Sequence, residues 1–142
     1  MKFISPLLAV SCSLGMAATA RLPIKDLGGF IKVITASAGP KCQGRLDCLD
    51  DAVAAEMKAH GLAIDVRSPI AFAVNVVQVR TFGAVDKLVI CNDKALLKEG
   101  ATIAIVLEDG KPVIYIDKGQ KKSFEEAGIL FSDTLMKIAR VI

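Results

Sequence analysis

Among the few residues that could carry chemistry, the single histidine comes first. The chain has 142 residues with one His and four Cys. A serine-type hydrolase would need His60 as its general base, with a nucleophile held beside it. No Gly-x-Ser-x-Gly turn is present, and Gly61 follows His60 at the predicted end of a helix, where an imidazole suits the helix dipole. We therefore predict a structural histidine and no catalytic residues.

Cysteines are the second group of reactive side chains. Together with His60, Cys42, Cys48 and Cys91 have the atoms of a zinc site, but five residues separate the first two cysteines and no second pair follows. Structural zinc sites space paired cysteines by two to four residues. Neither a Gly-x-Gly-x-x-Gly strand end nor a Gly-Lys-Ser/Thr phosphate loop occurs. The sequence therefore predicts no metal and no cofactor.

Residues 1–20 have the three-part pattern of a secretory signal peptide. Lys2 gives a charged start, an apolar stretch follows, and Ala18-Thr19-Ala20 supplies the small residues that a signal peptidase accepts. We predict cleavage after Ala20 and a periplasmic or secreted mature chain of residues 21–142. The alternatives are a buried N-terminal helix, or a lipoprotein attached through Cys12.

Export predicts a disulfide, because exported proteins meet an oxidising compartment. Three cysteines remain after cleavage, so one thiol is left over. Cys48 and Cys91 each end a predicted parallel strand, and neighbouring strands would bring their Cα atoms within bridging range. We predict a Cys48–Cys91 bridge, with Cys42–Cys48 as the competitor. Cys42 would then be a free thiol or would link two copies of the chain.

Composition excludes several classes of protein. The length suits one domain, and a hydrophobic content of 53% excludes a disordered chain. The net charge is only +3 and no block of Lys or Arg stands out, so nucleic acid is not an expected partner.

Alternating strands and helices predict an α/β fold. Apolar strands are predicted over 45–49, 62–66 and 87–91, with a helix over 52–60. Residues 70–82 are rich in β-branched side chains, but their position between two parallel strands favours a crossover helix. Residues 21–41 fit a helix or a strand, because Gly28-Gly29 weakens the helical pattern.

A hairpin and two helices are predicted to close the chain. Strands 101–107 and 113–116 flank Asp109-Gly110, which suits a tight hairpin turn. A helix over 120–127 and a last helix capped by Ser132 follow, with Leu135, Ile138, Ala139 and Ile142 on one stripe. We therefore predict a single-domain three-layer sandwich, with a mostly parallel sheet, a C-terminal hairpin and a closing helix.

Polar residues follow two of the predicted parallel strands. Asp50 and Asp51 come after one strand, and Asn92 and Asp93 come after another. Ligands of open α/β sheets usually bind at the carboxyl ends of the strands, so these four residues are candidate contacts for a ligand or partner. Helix capping explains the same residues without any ligand.

The C-terminal third of the chain resembles the YfiR family of small periplasmic proteins. The resemblance lies in Ile103-Ala104-Ile105-Val106-Leu107-Glu108-Asp109-Gly110, Ile114-Tyr115-Ile116-Asp117, Ala127-Gly128-Ile129, and Ser132-x-x-Leu135-x-x-Ile138-Ala139. A weaker likeness covers 45–66 and 87–91. The chain lacks the Trp-Pro element that the family has near the mature N-terminus, and it has three mature cysteines where two pairs are common.

This resemblance implies a function as well as a fold. It implies a periplasmic, non-enzymatic α/β protein that holds a membrane-bound diguanylate cyclase inactive by binding its periplasmic sensor domain, and it allows a homodimer. Two alternatives stay open. One is a small-ligand-binding protein that uses the carboxyl end of the sheet, and the other is an exported enzyme of unrecognised type.

Overall fold

The computed structural model describes residues 19–142, which form one sheet with helices on both faces. Eight strands are present in this range: β1 (Thr19–Arg21), β2 (Arg45–Cys48), β3 (Ala63–Ile64), β4 (Ile70–Phe72), β5 (Leu88–Cys91), β6 (Ile103–Glu108), β7 (Lys111–Ile116) and β8 (Ala139–Val141). The helices are α1 (Leu27–Ser37), α2 (Asp51–Ala59), α3 (Val76–Gly83), α4 (Lys118–Glu126) and α5 (Asp133–Ile138), with 3₁₀ turns at Ile24–Asp26 and Lys94–Glu99.

The sheet is mostly parallel, as predicted. Its strand order is β3-β2-β4-β5-β6-β7-β8, and β1 pairs with the second half of β6. The β6–β7 and β1–β6 pairs are antiparallel, whereas the other neighbouring strands run parallel. The predicted hairpin is confirmed, because Asp109 and Gly110 both have the positive φ that its two-residue turn requires.

Two apolar layers flank the sheet, which confirms the three-layer sandwich. On the first face, alternate residues of the central strands pack against α1, α2 and α5, with Phe72 and Ile90 fully buried. On the second face, smaller residues such as Ala71 and Ala104 pack against α3 and the 3₁₀ turn at Lys94–Glu99. The central strands are buried on both faces, which is why they lack the polar alternation of a half-exposed strand.

Residues 27–37 are helical despite two adjacent glycines, which settles the choice left open by the sequence. A Cβ built on Gly28 would lie 2.1 Å from Cδ2 of His60, whereas a Cβ on Gly29 would meet nothing within 4 Å. A glycine is therefore needed at position 28, because the imidazole of His60, at the C-terminal end of α2, lies against α1. Packing of Ile31 and Ile34 into the first apolar layer offsets the low helix propensity of the glycines.

The prediction of a helix over 70–82 is wrong for its first part. Ile70–Phe72 forms β4, and α3 begins only at Val76, where the Asn75 side chain accepts a hydrogen bond from the Gln78 N–H at 2.9 Å. All three β4 residues are fully buried between β2 and β5. Pairing on both sides in the centre of the sheet thus overrides the helical spacing in this segment.

The chain also departs from prediction at its C-terminal end. Ser132 caps α5 as predicted, with Oγ 3.3 Å from the Leu135 N–H. The helix ends at Ile138, and Ala139–Val141 continues as β8, parallel to β7. The predicted single stripe through Ala139 and Ile142 is therefore wrong, because those residues are not on the helix. Strand 62–66 is likewise shorter than predicted and pairs only at Ala63–Ile64.

Candidate functional site

At the carboxyl end of β2, the structure uses one of the two predicted aspartates as a helix cap. The Asp50 Oδ1 accepts a hydrogen bond from the Val53 N–H at 3.0 Å, and Asp51 is exposed in the first turn of α2. Both carboxylates thereby complement the partial positive charge at the start of the helix. Contact of either residue with a ligand stays a prediction.

At the carboxyl end of β5, Asn92 and Asp93 have different roles. Asn92 was predicted to cap the next helix, and this is wrong: its buried Nδ2 donates to the Leu22 carbonyl at 2.9 Å. The cap is Asp93, which accepts from the Ala95 N–H at 3.0 Å and forms an ion pair with Arg21 at 3.1 Å. The two pairs of polar residues follow strands that are not neighbours, because β4 lies between β2 and β5.

The structure contradicts the predicted Cys48–Cys91 disulfide. Cys48 lies in register with Phe72 and Ile90, so Cys91 is one residue further along β5 and faces the opposite side of the sheet. Two strand spacings separate the Cα atoms by at least about 9 Å, and a bridge needs less than about 7 Å. Cys42, Cys48 and Cys91 are all buried free thiols, so the competing Cys42–Cys48 bridge is absent as well.

Burial makes all three thiols less acidic. Desolvation raises the pKa of Cys48 to about 11 and that of Cys91 to about 12, and it raises the pKa of Cys42 in the same direction. Each thiol therefore stays protonated at neutral pH, which makes it a poor nucleophile and a poor metal ligand.

His60 contacts α1 and its own helix. Its Nε2 lies 2.8 Å from Glu56 Oε2, a buried oxygen that has no other partner in residues 19–142. The imidazole packs over Gly28, and 39% of its side-chain surface is exposed. This placement gives the histidine a packing role between two helices.

A cavity lies at the amino ends of the strands, opposite the predicted site. It has a volume of about 1000 Å³. Its walls come from residues just before β2, β4, β5 and β6 and from α4 with the turn that follows it; they include Cys42, Pro69, Lys87, Gly100 and Phe124. Several helices end here, because crossover helices run antiparallel to the strands they connect. We call this cavity the amino-end groove.

Lys87, which lines the amino-end groove, forms an ion pair with Asp47 in β2. Lys87 Nζ lies 2.8 Å from Asp47 Oδ2 and also donates to the carbonyls of Val66 and Ser68, the latter at 2.9 Å. The two charged side chains are only 13% and 9% exposed. All three donors of the ammonium group are satisfied, so this lysine holds the loop before β4 in place.

A second polar cluster joins β6, β7 and β8. Arg140 Nη1 donates to Glu108 Oε2 at 2.6 Å and to the Tyr115 hydroxyl at 3.2 Å, and the Tyr115 hydroxyl also donates to Glu108. The bonds from Tyr115 and Arg140 lower the pKa of Glu108, and the bond to Glu108 raises the pKa of Tyr115. Lys94 Nζ lies 4.2 Å above the Tyr115 ring. The cluster anchors β8 to the sheet.

Sequence reasoning missed both the amino-end groove and the Lys87–Asp47 pair. One signal was available: Asp47 and Lys87 are opposite charges within apolar strand segments, and buried charges must be paired. The groove has no comparable signature, because it is formed by loops that are far apart in the sequence.

Within residues 19–142, no group of three His, Cys, Asp or Glu side chains is arranged to hold a metal ion. No helix in this range is long and apolar enough to cross a membrane. In comparisons with known proteins, no protein-family model matches the chain and no curated protein matches it.

Proposed function

We propose that the chain is an exported, non-enzymatic regulatory protein that binds the periplasmic sensor domain of a membrane-bound diguanylate cyclase. The proposal starts from the resemblance to the YfiR family in the C-terminal third. That third forms β6, β7, α4, α5 and β8, and its three strands are neighbours at one edge of the sheet.

One surface observation supports a protein-binding role. Four large apolar side chains within or just after the resembling segment are exposed: Leu130, Ile138, Val141 and Ile142. Three of them, Ile138, Val141 and Ile142, lie in or next to β8, and contiguous exposed apolar surface is typical of interaction sites. The polar residues at the carboxyl ends of β2 and β5 are instead occupied with helix starts and with Leu22.

Deleting the gene in its host tests this function. Loss of an inhibitor should raise the cellular concentration of cyclic di-GMP. Re-expression of the full chain should lower it again to the wild-type level. A variant that lacks the signal segment and consists of an added Met followed by residues 21–142 should leave the concentration high. Unchanged cyclic di-GMP in the deletion strain, under conditions in which the parent strain expresses the protein, would rule the role out. Cross-linking from membranes followed by mass spectrometry should identify a cyclase as the partner.

Processing can be tested separately. The predicted signal peptide lies mostly outside the described residues, but the cleavage site falls within β1, where Ala20 pairs with Leu107. N-terminal sequencing of the exported protein should begin at Arg21. Recovery of chains that begin at Met1 would remove the premise of export.

The amino-end groove favours a second candidate, a small-ligand-binding protein. Its volume of about 1000 Å³ lies at the upper end of the usual range for ligand sites. This candidate differs from the sequence expectation, which placed a ligand at the carboxyl ends. A thermal-shift screen of periplasmic metabolites should find a ligand whose effect is lost in Ala127→Trp, which fills the groove, and kept in Gly29→Ala.

A further inference from the structure

β8 is an edge strand whose outer side has no neighbour among residues 19–142. On its inner side, the Ile142 N–H donates to the Ile116 carbonyl at 2.9 Å, and the Ile142 carbonyl accepts from the Lys118 N–H at 2.8 Å. Backbone groups of successive residues in a strand point to opposite sides. The N–H and C=O of Val141 therefore point outward, away from β7, and are free to pair with another strand.

Basic side chains of α4 lie beside Val141, the last residue of this strand. A shallow depression beside Val141 is lined by Lys118, Lys121 and Lys122 and by a single acidic residue, Glu125. Glu125 pairs with Lys121 at 2.9 Å. Within residues 19–142, Lys118 and Lys122 form no ion pair, so two uncompensated positive charges flank the edge.

Apolar side chains complete the surface. Ile138, just before β8, is 52% exposed, and Val141, the last residue of β8, is 39% exposed. An exposed edge strand with apolar side chains is a template for strand addition unless charge protects it. Here the charges left without an ion pair, Lys118 and Lys122, are both positive. They repel basic strands and attract acidic strands.

We propose that the outer edge of β8 binds an extended acidic segment of a partner protein, which adds to the sheet as a ninth strand. Charge complementarity decides between this occupant and a second copy of the chain. Two copies paired at this edge would place Lys118 and Lys122 of each copy close together, whereas carboxylates on an incoming strand would neutralise them. The inference rests on the proposed protein-binding function and names its surface and the chemistry of its partner.

A peptide titration tests the proposal without requiring export or a membrane partner. The probe is a capped seven-residue peptide of alternating glutamate and valine, added to ¹⁵N-labelled chain and followed by NMR. Binding should shift the Val141 amide signal and slow its hydrogen exchange, and higher salt should weaken it. The corresponding lysine–valine peptide should not bind.

Two variants separate backbone pairing from charge. Val141→Pro removes the outward N–H, which an edge strand tolerates, and should weaken binding about tenfold. The double variant Lys118→Glu with Lys122→Glu should weaken binding of the glutamate–valine peptide by a similar factor. It should instead bind the lysine–valine peptide more tightly. Lys58→Glu with Lys98→Glu, an equal charge change on α2 and the 3₁₀ turn, should leave binding unchanged.

Three results would overturn the proposal: equal binding of both peptides, no effect of the Lys118/Lys122 reversal, or a dimer in analytical ultracentrifugation that Val141→Pro abolishes. The last result would assign the edge to self-association. Because the peptide experiment uses the isolated chain and the cyclic di-GMP experiment uses cells, failure of one does not imply failure of the other.

Discussion

The two ends of the parallel strands use polar residues in opposite ways. At the carboxyl ends, Asp50 and Asp93 bind backbone N–H groups at helix starts, and Asn92 binds the Leu22 carbonyl. At the amino ends, Lys87 lines a cavity of about 1000 Å³ and forms an ion pair with Asp47, a residue within β2. The aspartates that follow β2 and β5 cap the helices that begin there, whereas the cavity lies where helices end.

Breaking the pair at the amino ends should have the largest effect. Lys87→Met leaves the Asp47 carboxylate buried without a partner and should lower the free energy of unfolding by about 3–5 kcal/mol. Urea denaturation followed by circular dichroism measures this loss.

A double variant sharpens the test of that pair. Replacing both charges, as Lys87→Met with Asp47→Leu, should recover at least half of the loss, because no unpaired charge then remains buried. Lys98→Met, at an exposed lysine, should change stability by less than about 0.5 kcal/mol. A loss of that small size for Lys87→Met would show that the pair is solvated, and the contrast between the two ends would disappear.

At the carboxyl ends, the largest effect is expected at Asn92. Asn92→Ala removes the donor to the Leu22 carbonyl and should cost about 1–3 kcal/mol. Asn92→Asp should cost at least as much at neutral pH, because it places a carboxylate against a carbonyl oxygen. If Asn92→Asp is instead as stable as the wild type in thermal denaturation, the side chain does not bind Leu22.

Adjacent aspartates provide a matched pair for the helix cap. Asp50→Ala removes the acceptor for the Val53 N–H and should cost about 1 kcal/mol. Asp51→Ala removes only a charge in the first turn and should cost about 0.3–0.5 kcal/mol. Equal losses in urea denaturation would mean that the two aspartates stabilise the start of α2 through their charge alone and not through the cap hydrogen bond.

The smallest effect is a dependence on pH at the end of β3. The backbone N–H and side chain of Arg67 donate to Asp65 and lower its pKa to about 2 from 3.8. The charged carboxylate is favoured in the folded state, so its stabilisation is present above about pH 4 and is lost as the pH falls through 2. Asp65→Asn should flatten the dependence of the free energy of unfolding on pH in this window, as measured by urea denaturation.

Much of the fold follows from local signals in the sequence. Asp109-Gly110, Ser132 and the buried strand Leu88–Cys91 each have a local physical cause, and the structure agrees at all three. The error at Ile70–Phe72 has a different origin. Those residues form a strand because β2 and β5 lie on either side, and the sequence within the segment does not carry that information.

The predicted disulfide depended on which strands are neighbours, and this is where sequence reasoning failed. The prediction placed Cys48 and Cys91 on adjacent strands, but β4 lies between β2 and β5. The amino-end groove could not be predicted, because its walls come from segments as distant as Cys42 and Phe124.

The buried thiols have a consequence for how the protein is made. Cys48 and Cys91 lie inside opposite apolar layers, and their raised pKa values keep the reactive thiolate scarce. The fold of residues 19–142 contains no disulfide, so it needs no thiol oxidation to form. Its stability has to come from non-covalent interactions, and the isolated chain can be produced in a reducing cytoplasm.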